Sequence, residues 1–91
     1  MRYLFADCVL ETQHYLLRRA GQSIRLRPKV FRVLTYLLMN RDRVVPKQEL
    51  CEQVWSAQTA SDATIENCLK AIRRAIGDNG QAQRITSKIW G

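Results

Sequence analysis

The chain has 91 residues, 46% of them hydrophobic, enough for one compact domain whose core needs no metal or disulfide staple. With 15 Lys plus Arg against 8 Asp plus Glu, the net charge is +7, which favours a polyanionic partner. Three widely spaced cysteines and one histidine exclude a metal-ligand cluster and a disulfide scaffold, and no apolar run approaches a membrane span. The start, Met1-Arg2-Tyr3, lacks a signal-peptide apolar region, so a reduced, cytoplasmic setting is expected.

Short apolar runs separated by turn residues open the chain: Tyr3-Leu4-Phe5, Cys8-Val9-Leu10 and Tyr15-Leu16-Leu17. With Gln22-Ser23-Ile24-Arg25-Leu26 they predict four short strands of an antiparallel meander over residues 1–26. His14 falls in a polar turn between them and reads as a solvated imidazole.

From Pro28 the period changes. Val30, Phe31, Leu34, Leu37 and Leu38 follow the three-and-four spacing of an apolar helical stripe, and the helix should stop near Asn40-Arg41-Asp42. Val44-Val45 is long enough only for a bridging strand. Pro46 is expected to open a second helix whose Leu50, Cys51, Val54 and Trp55 share a face. The small polar residues 56–61 read as a loop, and Ser61-Asp62 offers side-chain oxygens to cap a third helix running to Ile76, where Gly77 supplies a left-handed stop. Beyond the turn cluster Asp78-Asn79-Gly80, Arg84-Ile85-Thr86-Ser87-Lys88-Ile89-Trp90 reads as a strand entering a hairpin.

The third helix carries the functional signal. At about 100° per residue, Ile65, Cys68, Leu69, Ile72 and Ile76 fill one arc. Ala63, Glu66, Asn67, Lys70, Arg73 and Arg74 collect on the opposite arc. An α-helix fits the major groove of B-DNA, where Arg and Lys pair with guanine, Asn with adenine, and Glu accepts from cytosine. A solvated helix shows the same charges, and Glu66 with Lys70 has the spacing of a helix-stabilising pair. The order helix, turn, helix, loop, capped basic helix and basic strand is helix-turn-helix logic with a wing. Arg41 and Arg43 in the turn, Lys47 in the second helix, and Arg84 and Lys88 on the wing are candidates for phosphate contact.

Leu26-Arg27-Pro28-Lys29-Val30-Phe31, Leu34-Thr35-Tyr36-Leu37-Leu38, Glu49-Leu50-Cys51-Glu52-Gln53-Val54-Trp55 and Ile72-Arg73-Arg74-Ala75-Ile76-Gly77-Asp78, with Asn40 to Val45, resemble the OmpR/PhoB-type winged-helix domain of bacterial transcriptional regulators. The likeness runs from Tyr3 to Gly91. It implies an α+β winged helix-turn-helix fold: a four-stranded N-terminal antiparallel sheet, three helices and a C-terminal wing hairpin. It also implies a DNA-binding role in cytoplasmic, two-component-like regulators of phosphorelay signal transduction, with the third helix in the major groove and the wing near the minor groove. Thr64, Asn67, Lys70, Ala71, Arg73 and Arg74 match positions that touch DNA in the family, and Trp55 matches an aromatic near the sugar-phosphate backbone. Residues 56–61 match a segment that contacts RNA polymerase in some members, and tandem homodimers on repeated half-sites are common among them.

The sequence departs from the family in four places. Ala71 stands where arginine is frequent, and Arg27 and Pro46 stand where hydroxyl caps are frequent. The returning Gly-x-Gly-Tyr strand does not follow Ile89-Trp90-Gly91, so a truncated hairpin is expected. The resulting layout is a single domain, 1–91, with a sheet over 1–26, a three-helix core over 28–77 and a partial wing over 83–91.

The reading is therefore sequence-specific duplex DNA binding in bacterial transcription regulation, with no cofactor, metal, membrane or small-molecule substrate. Its alternative is a protein-interaction or dimerisation module on the same fold with weak or lost DNA binding, motivated by Ala71 and the incomplete wing. An enzyme is not expected, because one isolated His and scattered acids assemble no catalytic constellation. RNA binding fares worse still, since the few aromatics form no stacking platform.

Overall fold

The computed structural model describes residues 2–5, 7–55, 61–77, 84–86 and 89–90. Four strands, β1 (Arg2–Phe5), β2 (Cys8–Glu11), β3 (Leu16–Arg19) and β4 (Gln22–Ile24), form an antiparallel sheet in the order β1-β2-β3-β4. The register sets Leu10 opposite Leu17 and Leu17 opposite Ile24, so one face of the sheet carries a row of aliphatic side chains into the core. Ala20 and Gly21, at φ 51° and 82°, close the two-residue turn between β3 and β4 with the positive φ values that right-twisted hairpins demand.

Two strand limits differ from expectation. Tyr15, expected in the third strand, occupies the preceding turn at φ 53°, its ring edge-on to Phe31 at a centroid distance of 5.6 Å. Leu26 lies past the end of β4 in the extended connection to the first helix, half-buried against the core.

Helix α1 (Pro28–Met39) buries Val30, Phe31, Val33, Leu34, Leu37 and Leu38 and packs against both other helices. Its N-cap, Arg27, makes no side-chain capping bond, and Pro28 supplies a preset φ instead. At the other end Asn40 directs both its backbone N–H and its side-chain amide to the Tyr36 carbonyl, at 3.2 and 2.9 Å, which accounts for the stop.

After β5 (Val45–Pro46) comes α2 (Lys47–Trp55). Pro46, expected to open that helix, instead belongs to the short ladder before it. Leu50 and Val54 are buried, with Cys51 and Trp55 half-buried beside them.

Helix α3 (Asp62–Ile76) has the limits its caps predict. The Ser61 hydroxyl accepts the Thr64 N–H at 3.1 Å, and Gly77 at φ 101° returns its N–H to the Arg73 carbonyl at 3.0 Å. Ile65, Cys68, Leu69, Ile72 and Ile76 are all buried. Burying such aliphatic side chains contributes about 1.5–3 kcal/mol each, which fixes the helix's rotation about its own axis.

The expected strand over 84–90 is corrected. Residues 84–86 are helical, because Ile85 and Thr86 are both buried, and consecutive side chains can share one side of a helical turn but not of a strand. Among the described residues of this segment β6 (Ile89–Trp90) is extended, and it pairs in parallel with β5, Val45 opposite Ile89.

Candidate nucleic-acid interface

The aliphatic stripe of α3 turns its other side to solvent. Ala63, Thr64, Glu66, Asn67, Lys70 and Arg74 are exposed, whereas Ala71 and Arg73 are half-buried at its edges. No ion pair joins Glu66 to Lys70 among the described residues, so the helical spacing that would pair them is not used. Arg73 is anchored, its Nη1 3.5 Å from the Thr86 hydroxyl, which ties α3 to the helical turn at 84–86.

Trp55 comes together with Thr64, Asn67 and Ala71 around a cleft of about 720 Å³, closed on its far side by Arg27, Pro28 and Lys29 at the start of α1. The sequence pattern did not single out Lys29 as a site residue. Its ammonium donates to the Val54 carbonyl at 2.9 Å and lies 6.0 Å from the Trp55 ring centroid, satisfying a C-terminal carbonyl of α2 and steadying the tryptophan. A basic residue beside Pro28 was visible in the sequence, but its partner lies at the end of the next helix.

Two expected phosphate contacts are engaged within the protein. Arg43 forms an ion pair through Nη2 with Glu49, reinforced by Nη1 at 3.1 Å, and its Nε donates to Asn40 Oδ1 at 3.2 Å. The Tyr36 hydroxyl donates to the same carboxylate. Arg43 first, and Tyr36 second, hold the Glu49 carboxyl below its ordinary value, while the same bond raises the Tyr36 phenol. This network joins α1 to α2 and sets the angle of the turn between them. Lys47 reaches Asp62 at 3.4 Å, linking the first turns of α2 and α3.

Arg84 is exposed on the helical turn rather than on a wing strand. Arg41 is exposed in the turn after α1. Lys88 and residues 56–60 lie outside the described residues.

Further cations line the flank of α3 that the sequence did not assign to the site. Arg19 of β3 and Arg25 and Arg27 of the β4–α1 connection border a cleft of about 430 Å³ with Ala71, Arg74 and Ala75. The basic runs Arg18-Arg19 and Arg25 to Lys29 are plain in the sequence. Only the fold brings them beside the third helix.

Other chemistries find little support. Burial pushes the Cys68 thiol up, and burial followed by the neighbouring Asp7 pushes Cys8 to about 11, so neither is poised as a thiolate. Among the described residues no His, Cys, Asp and Glu side chains gather as a metal site, and no helix is long and apolar enough to cross a membrane.

Comparison with known proteins decides the family. Residues 21–91 match the family described as transcriptional regulatory protein, C terminal. The chain belongs to this family. Its members are DNA-binding domains of transcription regulators, not enzymes.

The transcriptional regulator HilA of Salmonella typhi is 27% identical over 90 residues, covering 99% of this chain and 16% of that protein. The chain thus spans about a sixth of the length of that relative. Among solved structures, the Thermotoga maritima response regulator DrrB, an OmpR/PhoB homolog, superposes with a TM-score of 0.76 at 29% identity, over 86% of this chain and 36% of that one. The DNA-binding domain of CpxR from E. coli gives 0.75 at 22% identity over 88% of this chain and 79% of that one, a likeness of fold. The α+β winged-helix architecture of the OmpR/PhoB type is therefore established.

Proposed function

We propose that this transcription-regulator domain reads duplex DNA in a sequence-specific way by laying the exposed face of α3 in the major groove. The observation that carries the reading is that face itself. Its core side is fully buried, while Asn67, Lys70 and Arg74 project to solvent beside small Ala63, which lets the helix axis approach a surface closely. Asn67 is suited to adenine, Lys70 to guanine and Glu66 to the cytosine amino group. Half-buried Ala71 offers no hydrogen bond, so Thr64 and Asn67 carry the reading along that edge.

Phosphate contacts fall to the periphery: Arg74, Trp55 at the end of α2, and Lys47 once it exchanges Asp62 for a phosphate. Arg73, held on Thr86, acts on the backbone rather than on bases. From the family resemblance, the wing that β6 begins is the side that approaches the minor groove. Two further partners follow from the family resemblance alone: RNA polymerase at 56–61, and a second copy of the domain on tandem half-sites. A cytoplasmic location and a single domain over 1–91 belong to the same reading.

Selection of bound sites from a random duplex pool, followed by fluorescence anisotropy on the selected site, tests it. Lys70→Ala or Asn67→Ala should each weaken binding by about 1–3 kcal/mol and relax preference at one position. Variants that match the parent protein would remove α3 from this role.

A further inference from the structure

Another concentration of positive charge lies at the C-terminal end of α3, where a cleft of about 510 Å³ is lined by Arg19, Lys70, Arg73, Arg74 and Gly77. Four of these five are cations, and among the described residues no carboxylate shares the lining. Arg19 arrives from the sheet. Residues two apart on a strand share a face, so Arg19 follows buried Leu17 on the inner side of β3 and reaches the end of the helix. There its guanidinium lies over Gly77: a Cβ at that glycine would stand 2.8 Å from Nη2. Asp7 pairs with Arg19 loosely, Nε standing 3.7 Å from its carboxylate, with both side chains about half exposed.

Helix polarity accounts for part of this. Cations in the last turn of α3 complement its carbonyl end, an effect of about 0.3–1 kcal/mol, and Arg73 and Arg74 need no other reason to be there. It does not account for a further arginine brought from a different element onto the same spot, where like charges repel. An anion resolves that repulsion, and the forked guanidinium groups of Arg19, Arg73 and Arg74 suit the tetrahedral oxygens of a phosphate.

We infer that this cleft seats a phosphodiester of the DNA backbone, with Arg19 extending the nucleic-acid footprint from α3 onto the N-terminal sheet. The inference rests on the DNA-binding reading above. Gripped at this point by two elements, the backbone would fix how deeply α3 enters the groove.

The test is duplex affinity as a function of salt for the parent protein, Arg19→Gln, Arg18→Gln and Asp7→Asn. Each phosphate contact contributes about 0.9 to the log–log slope. Arg19→Gln should therefore lose about one contact's worth, so that over a fourfold rise in salt the parent loses about 3.5-fold more affinity than the variant. Its preference for the selected site over a scrambled duplex should not change. Arg18→Gln, an exposed cation on the opposite face of β3, should keep the parent slope. Asp7→Asn breaks the ion pair but keeps the cation, so an unchanged or steeper slope there separates phosphate contact from structural support.

If Arg19→Gln keeps the parent slope while Lys70→Ala still weakens binding, the cleft inference falls and the function stands. If the parent shows no saturable duplex binding, both fall. Inorganic phosphate at millimolar concentration is the remaining arm. Were it to shift the Arg19 and Gly77 amide resonances while Arg19→Gln left the duplex slope intact, the cleft would serve a small free anion, and the backbone assignment would be wrong.

Discussion

Arg19 lies across the C-cap of α3 so closely that Gly77 has no room for a Cβ beside it, the nearest guanidinium atom standing 2.8 Å from where one would be. Gly77 also sits at φ 101°, which L side chains rarely adopt. The two constraints differ in weight. A guanidinium at the end of a flexible side chain can shift at little cost, whereas the left-handed backbone penalises any Cβ by about 1–2 kcal/mol. Gly77→Ala should therefore destabilise the domain by about that amount in urea unfolding, and adding Arg19→Ala should recover little of it. Recovery of most of the loss would mean that the crowded guanidinium, not the backbone conformation, is what excludes a side chain there.

Ser61 caps α3 with its side chain, Oγ accepting the Thr64 N–H at 3.1 Å. Ser61→Ala should cost about 1 kcal/mol of folding stability. Ser61→Asp should preserve the acceptor and retain most of the stability. A thermal or urea series across the three proteins checks both, and equal stability of Ala and Ser would show that the hydroxyl contributes nothing.

The Arg43–Glu49–Tyr36 network has a pH signature. Because Glu49 is held below its ordinary value of 4.5 in the fold, the native state favours its carboxylate, and the stabilisation is fully present above the unfolded value. It is lost as pH falls through the lower folded value. Glu49→Gln should lower Tm at neutral pH, and the gap to the parent protein should narrow as the solution is taken below about pH 4.5. A gap that persists in acid would assign the loss to shape rather than charge.

The cysteines should react in a fixed order. Cys8 and Cys68 are 2% and 7% exposed and their thiols are shifted upward, while Cys51 is only half-buried on α2. Alkylation of the native protein followed by mass spectrometry should label Cys51 first, with Cys8 and Cys68 protected until the fold opens. Labelling of Cys8 as fast as Cys51 would contradict the packing of β2 on the helices.

What was legible in the sequence depended on short-range pattern. The limits of α3, its five-residue core stripe, the Ser61 cap and the Gly77 stop are all set by residues within a few positions of one another, and the structure has each as expected. Features created by tertiary contact were not legible. Arg43 reads as a loop cation until Glu49 is seen beside it. Arg-Ile-Thr at 84–86 has the alternation of a strand, and only the joint burial of Ile85 and Thr86 against the core selects a helical turn. Lys29 and Arg19 were visible as charges, but their places at the ends of α2 and α3 follow from how the sheet and helices pack.

The N-terminal sheet pairs every strand with its neighbour in sequence, whereas the ladder between β5 and β6 joins Val45 to Ile89 from opposite halves of the chain. Closing a short loop costs less entropy than closing a long one, and hairpins form within microseconds. The meander is thus the fast-assembling part of the molecule. The C-terminal strand docks late, so amide protection in the β5–β6 ladder should lag behind protection in the first four strands during refolding.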